Sequence, residues 1–201
     1  MIEAGSSLVL ATHNQGKVLE FADLLSPLDI TMKSAADYHL VEPVEDGDSF
    51  YANAFIKAHF VHKQTGLAAL ADDSGLVVYA IGGEPGIHSA RWAGPEKNFS
   101  MAMQQIQDRV LATGKKDWRA AFVASLVLFT KTGLSFYAEG RCEGQLRFPP
   151  SGAAGFGYDP IFVPDGASRC FAEMTKAEKA QYSHRALATG KLLDILQHTQ
   201  H

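Results

Sequence analysis

The sequence predicts an α/β protein with a mixed β-sheet flanked by helices, and three stretches carry that expectation. Near the start, the apolar run SLVLA (7–11) passes through a polar loop into a segment with helical spacing. In the middle, LAALADDSGLVVYAIGGEPGIHSARWAG (67–94) sets two apolar runs on either side of Asp72-Asp73-Ser74-Gly75. Later, WRAAFVASLVLF (118–129) and the alternating segment 134–141 are joined by a short turn around Lys131-Thr132-Gly133. A strand–loop–helix unit favours parallel neighbours and a short turn enforces antiparallel ones, so both directions are expected in one sheet.

Taken in order, residues 7–11 form a buried strand. The loop THNQGK (12–17) offers a hydroxyl, an amide, a glycine and a lysine at a helix start. Backbone N–H groups and the helix dipole there favour an anion. The loop is either a phosphate cradle or an ordinary N-cap with an incidental lysine; the GxxxxGK[ST] motif is absent. Val18, Phe21, Leu24 and Leu25 fall at helical spacing, and Pro27 ends that helix. A second short strand spans 29–33, and 35–48 reads as a polar loop. Ser49 caps a helix running through Ala52, Phe55, Ile56, Ala58, His59 and Val61 to Gly66. Within the loop, Glu45 is either a metal carboxylate or plain loop solvation. His59 and His62 sit three apart, as surface residues or as a metal pair with no third ligand in view.

The central Asp72-Asp73 pair falls where a buried strand is expected to run out. Two carboxylates there are costly to desolvate unless something pairs with them. A divalent cation would supply the pairing, and Mg²⁺ usually carries a phosphate substrate with it. The competing reading is a solvated turn. Beyond it, 99–113 is an amphipathic covering helix with Met103, Ile106, Val110 and Leu111 on one face. In SGAAGFGYDPIFVP (151–164), glycines flank Phe156 and Tyr158. That is either a close backbone approach to a ligand with an aromatic to stack on a flat base, or a turn before a strand. The last segment, MTKAEKAQYSHRALATGKLLDIL (174–196), opens with a Thr175/Glu178 capping box. It presents an apolar face of Leu187, Leu192, Leu193 and Leu196. Its His184 and Arg185 are either surface charges or donors aimed at a cleft.

At 201 residues and 46% hydrophobic content, the chain can build one core, or one core split into two lobes. No repeat or linker divides it, so a single domain over 1–201 is expected. A net charge of −4 argues against binding nucleic acid through a broad basic surface, while leaving room for a small anion. Cys142 and Cys170, with no CxxC, fit neither a zinc site nor a disulfide framework, and suit a reducing cytoplasm. The start, MIEAGSSLVLAT, lacks a basic leader and a long apolar core, and no run approaches about 18 apolar residues. A cytoplasmic protein with no membrane partner is therefore expected.

Six motifs fall in a recognisable order: THNQGK, Glu45-x-Gly47-x-Ser49-Phe50 before Asn53-Ala54, ADDSGL, GGEPGIHSARWAG, FGYDPIF and K-x-x-x-S-H-R. In that order and spacing, over 8–196, the chain resembles the inosine triphosphate pyrophosphatase family. The resemblance implies Mg²⁺-dependent hydrolysis of ITP, dITP and XTP to the monophosphate and pyrophosphate. Such an activity clears deaminated purines from the nucleotide pool and keeps them out of DNA and RNA. It also implies an elongated two-lobed fold with a long mixed sheet, a central cleft and a homodimer. By this resemblance Thr12, His13, Asn14, Gln15, Gly16 and Lys17 would hold the triphosphate. Asp73 would be the acidic residue at the catalytic metal and water, with Glu45 and Asp72 as further metal carboxylates. Ser74 would touch the substrate, and Phe156, Gly157, Tyr158 and Asp159 would wall the base pocket. Lys179, His184 and Arg185 would reach the nucleotide from the last helix. Val44 stands where some members carry another acid, and Trp92 where Tyr or Phe is frequent. Three rival readings are a pyrimidine triphosphate pyrophosphatase, a non-catalytic nucleotide sensor and a haloacid-type phosphatase. The last wants two aspartates separated by one residue, whereas Asp72 and Asp73 are adjacent.

Overall fold

The computed structural model describes residues 5–198. Residues 1–4, part of the start that reads as lacking a leader, and residues 199–201 lie outside the described residues. The elements are β1 (Ser6–Leu10), α1 (Gln15–Leu25), β2 (Ile30–Ser34), α2 (Phe50–Thr65), β3 (Ala68–Val78) and the short α3 (Ser89–Trp92). They continue as α4 (Phe99–Ala112), β4 (Arg119–Phe129), β5 (Ser135–Leu146), β6 (Phe162–Pro164), α5 (Lys176–Ala180) and α6 (His184–His198).

The strands form one sheet in the order β2-β1-β3-β4-β5-β6. β1 runs parallel to β2 and β3, and β6 runs antiparallel to β5. β4 and β5 form the expected hairpin. Thr130 N–H donates to the Leu134 carbonyl at its turn, and Leu146 N–H to the Trp118 carbonyl at its open end, both at 2.8 Å. The sheet is mixed, and the chain is α/β.

The described residues divide into two compact units, one of residues 5–73, 124–140 and 188–198, the other of 74–123 and 141–187. The first unit has two apolar layers that follow the period of two along its strands. Leu8, Leu10, Ala68 and Leu70 pack with Phe21 and Leu25 of α1 and with Leu192 and Leu196 of α6. Val9, Ala11, Ala69 and Ala71 pack with Ala54, Ala58 and Val61 of α2. The second unit has its own core, built on Leu76, Val78, Ile106, Val110, Phe122, Phe162 and Phe171.

Four features differ from the sequence expectations. The DDSG stretch is neither a strand end nor a turn, because β3 runs through it without a break. Helix α1 begins at Gln15, inside the expected polar loop, with Asn14 as its N-cap. The last helix is two: α5 stops at Ala180 and α6 starts at His184, which makes Lys179 and Arg185 residues of separate elements. Leu111 and Leu187, placed on apolar faces by spacing, are exposed at 58% and 42%. On α2 the buried stripe is Asn53, Ala54, Lys57, Ala58 and Val61, while His59 is exposed and stacks on Phe55. His62 stacks on Phe129, with Nδ1 2.8 Å from the Leu67 carbonyl oxygen.

The β5–β6 pairing depends on Gly144. A Cβ there would lie 2.3 Å from the Val163 carbonyl oxygen and 2.8 Å from the Phe162 ring. Gly144→Ala should therefore lower the unfolding free energy by about 1–3 kcal/mol. Chemical denaturation measures this, and an unchanged midpoint would contradict the packing.

Candidate active site

Asp72 and Asp73 are consecutive residues inside β3, so their side chains leave opposite faces of the strand. Both are buried, at 2% and 7% exposure. A carboxylate buried without a partner costs several kcal/mol, so each face must supply a cation. Lys17, in the first turn of α1, supplies one: its Nζ lies 3.3 Å from Asp72 Oδ2 and donates to the Asp72 carbonyl oxygen at 3.2 Å. Lys57, midway along α2, supplies the other, with Nζ 2.9 Å from Asp73 Oδ1. The same ammonium lies 3.2 Å from Glu45 Oε2, which draws the 39–49 loop onto the site. Burial alone would push the Lys57 ammonium below its usual pKa; Asp73 and Glu45 outweigh it and hold the pKa above that value. Burial acts on Asp73 in favour of its protonated form, and the pull of Lys57 and Lys17 opposes it.

The loop before α1 is tightly capped. Asn14 Oδ1 accepts from the N–H groups of Gly16 and Lys17 at 2.9 and 3.3 Å, and Thr12 Oγ1 accepts from Asn14 N–H at 3.1 Å. His13 turns away to the 40–42 segment, with Nδ1 3.0 Å from Glu42 Oε1 and Nε2 2.9 Å from the Leu40 carbonyl oxygen. Gln15 is exposed at the first helical position, and Gly16 is half-buried.

Ser74 follows Asp73 and opens the second unit. Its Oγ accepts from Arg185 Nη2 at 3.0 Å, and Arg185, at 1% exposure, is the largest fully buried side chain among the described residues. The Arg185 guanidinium also lies 5.9 Å from the centroid of the half-buried Phe156 ring, and Lys179 Nζ lies 4.9 Å from it. Both distances suit cation–π contact. Asp159 is buried and organises this cluster: its Oδ2 accepts from Lys179 Nζ at 2.7 Å and from Phe156 N–H at 2.8 Å. Gly155 makes that geometry possible, since it has φ +75° and a Cβ there would sit 2.0 Å from Asp159 Oδ2. Tyr158 faces the core, edge-on to Phe99, with its hydroxyl donating to the Ser89 carbonyl at 2.8 Å. Burial pushes its phenol well above the usual range. His184 stacks on Phe122 at 4.8 Å.

The residues singled out in the sequence therefore fall into two clusters, one in each unit. Thr12, Asn14, Lys17, Glu45, Asp72 and Asp73 converge in the first; Ser74, Phe156, Asp159, Lys179 and Arg185 converge in the second. Asp72 and Asp73 do not share a ligand-like arrangement, because they face opposite ways; Glu45 and Asp73 do, around Lys57. Gly157 lines the loop beside Phe156, with Phe99 3.8 Å from where its Cβ would be. Among the described residues, no three His, Cys, Asp or Glu side chains form a ready-made metal cage. Lys57 was missed by sequence reasoning. The signal was present: Asn53, Ala54, Lys57, Ala58 and Val61 trace a helical stripe, and a lysine within such a stripe needs a buried anion.

Lys57→Met would leave Asp73 and Glu45 without their shared cation. We expect it to cost about 3–5 kcal/mol of stability at neutral pH. The cost should shrink toward pH 4, because burial already favours the protonated form of Asp73. Urea denaturation at both pH values checks this; an equal loss at each would argue against the ion pair.

A family model described as the Ham1 family matches residues 8–195. A Zymomonas mobilis protein named dITP/XTP pyrophosphatase is 50% identical over 187 residues, covering 92% of this chain and 90% of its own. A Rhodospirillum centenum protein of the same name is 48% identical over 191 residues, covering 94% of each. Among solved structures, a HAM1 protein from Coxiella burnetii matches with a TM-score of 0.87 and 35% identity, over 96% of this chain and 98% of the other. The Ham1 protein of Staphylococcus aureus matches with a TM-score of 0.85 and 31% identity, over 96% and 99%.

Proposed function

The chain belongs to the Ham1 family, and on that premise we propose that it hydrolyses non-standard purine nucleoside triphosphates (ITP, dITP and XTP) to the monophosphate and pyrophosphate. The observation that carries this reading is the Asp73–Lys57–Glu45 cluster, with Asp73 and Lys57 buried and Glu45 half-buried, next in sequence to Ser74, in a chain whose close relatives bear the name dITP/XTP pyrophosphatase.

The cluster suits Mg²⁺. Asp73 and Glu45 offer hard carboxylate oxygens around one cation position, and Mg²⁺ is usually held by one or two carboxylates plus substrate phosphates. When bound, Mg²⁺ would neutralise phosphate oxygens and acidify a coordinated water. Asp73 would orient the attacking water and accept its proton at a carboxylate oxygen. The water oxygen bonds to the α-phosphorus, the bond from that phosphorus to the bridging oxygen breaks, and pyrophosphate leaves with the electron pair. Lys17 and Lys57 would meet phosphate oxygens, with Thr12, His13, Asn14, Gln15 and Gly16 framing the triphosphate. Asp72 holds Lys17 in place and contributes negative charge near the metal rather than sharing the Lys57 position.

In the second unit, Phe156 with Gly157 would give the base a flat face. Arg185 would donate to the 6-oxo group of hypoxanthine or xanthine. Adenine presents an amino donor at that position, which leaves two donors opposed and costs about 1–3 kcal/mol. Tyr158 and Asp159 act behind this surface, one in the core and one holding Lys179, and His184 braces the start of α6 against Phe122. A cytoplasmic homodimer is the state in which we would test the enzyme; both cysteines are free and buried, and among the described residues no helix is long and apolar enough to cross a membrane.

Pyrophosphate release from ITP, XTP, dITP, GTP, ATP and dTTP, with Mg²⁺ and then with chelator, tests the proposal. Metal-dependent release from the first three is expected. Orthophosphate in its place would move the attack away from the α-phosphorus, and nucleotide binding without turnover would favour a sensor. Asp73→Asn should reduce kcat by at least about 10³-fold with the fold intact; near-normal turnover would overturn the assignment of Asp73.

Arg185→Ala should narrow the ratio of kcat/KM for ITP over ATP by about 10- to 100-fold. An unchanged ratio would transfer base recognition to backbone groups.

A further inference from the structure

We infer that Asn53 is a positioning residue that latches the Glu45-bearing loop to Asp73. The inference rests on the reading of Asp73 and Glu45 given above. Asn53 is 1% exposed, in the buried stripe of α2 one turn before Lys57. Its Oδ1 accepts from the Gly47 backbone N–H at 2.9 Å. That bond fixes the orientation of the amide, because an N–H can face only the oxygen. The Nδ2 group therefore points the other way, and donates to Asp73 Oδ2 at 3.4 Å. Lys57 meanwhile engages Asp73 through Oδ1, so the two carboxylate oxygens have different partners.

The latch joins groups that the backbone does not hold together. Glu45 lies in residues 39–49, which form neither helix nor strand, and reaches the site through a loop two residues from Gly47. Gly47 has no room for a side chain: a Cβ would sit 2.7 Å from Ala52 Cβ, 2.7 Å from Asn53 Oδ1 and 2.9 Å from Asn53 N. The loop thus lies directly on the first turns of α2, and a single amide ties it to the carboxylate it serves. Fixing both oxygens of Asp73 sets the direction in which it meets a water, and fixing Gly47 sets the reach of Glu45. Partners of this kind typically change metal affinity or activity by about 10- to 100-fold when removed.

The variant Asn53→Asp keeps the shape and an acceptor for Gly47, but sets an oxygen against Asp73 Oδ2. Gly47→Ala lifts the loop by crowding Ala52 Cβ and Asn53 Oδ1, while leaving the amide's own donor and acceptor in place. Both should lower kcat by about 10- to 100-fold, with KM for ITP changed less than about 3-fold. Both should also weaken Mg²⁺ binding to the nucleotide-free protein, measured by calorimetry. Hydrogen exchange of the Gly47 amide in the metal- and nucleotide-free wild type supplies a readout independent of turnover. It should be slow, and should accelerate about 10-fold or more in Asn53→Ala while the amides of Ala54 and Ala58 stay protected. Rapid exchange of Gly47 in the wild type, or wild-type kcat in both Asn53→Asp and Gly47→Ala, would overturn the latch. If Asp73→Asn retained turnover, the catalytic reading itself would fail, whatever the Asn53 variants did.

Discussion

Two adjacent carboxylates buried in one strand impose a condition that the first unit is built to meet. Because Asp72 and Asp73 leave β3 on opposite faces, each has a different lysine as its direct partner, although Lys17 also pulls on Asp73. Each face needs its own cation, delivered at depth, and a lysine on a packed helix is the means available. Helix α1 seats Phe21 and Leu25 in one apolar layer and brings Lys17 to Asp72. Helix α2 seats Ala54, Ala58 and Val61 in the other layer and brings Lys57 to Asp73. Removing one partner from a buried pair leaves an uncompensated charge, a loss of about 3–5 kcal/mol, which is large beside the roughly 5–15 kcal/mol that separates native proteins from their unfolded chains. Helix placement, loop capping at Asn14 and the approach of Glu45 are therefore linked to the same two residues.

The second unit solves a similar problem with one carboxylate. Asp159 accepts from a backbone N–H and from Lys179 through the same oxygen, and this fixes the Phe156 ring beneath two cationic groups. Packing below supports it: the Tyr158 hydroxyl is tied to Ser89, whose own Oγ accepts from Leu76 N–H at 2.9 Å. Aromatic face, lysine and arginine are thus set before any ligand arrives, which lowers the ordering cost of binding.

Much of this was legible in the chain because it depends on local chemistry. The Thr175/Glu178 capping box, the Ser49 cap and the Gly66 stop each stand as the sequence indicates, since capping is decided within four residues. The hairpin around residues 130–134 follows from alternation and turn composition. What the sequence concealed was long-range. DDSG reads as a break because aspartate, serine and glycine favour turns; the strand persists because Lys17 and Lys57, 55 and 16 residues away, pair with the carboxylates. The stop after Ala180 was hidden for a related reason. A stretch with helical spacing on both sides reads as one helix, and the burial of Ser183, His184 and Arg185 that accompanies the break is a tertiary fact. Lys57 escaped notice because a lone lysine in a helix is ordinarily solvent-facing.

A chain of net charge −4 that is to bind a nucleoside triphosphate cannot rely on its overall field. On the proposed reading it would rely on local cations, Lys17 and Lys57 in the first unit and Lys179 and Arg185 in the second, and each already has a partner within its own unit: Asp72, Asp73 with Glu45, Asp159 and Ser74. An incoming phosphate therefore does not meet idle charge; it competes with carboxylates for the same ammonium groups. For Lys57 that competition is unfavourable unless something else neutralises Asp73 and Glu45, since drawing the lysine away leaves the buried Asp73 and the half-buried Glu45 without their cation. Asp73 and Glu45 would hold a divalent cation in that position, which would leave Lys57 for phosphate oxygens. Metal dependence would then follow from the lysine as much as from the chemistry of the water, because Lys57 already occupies the carboxylates that would hold the metal.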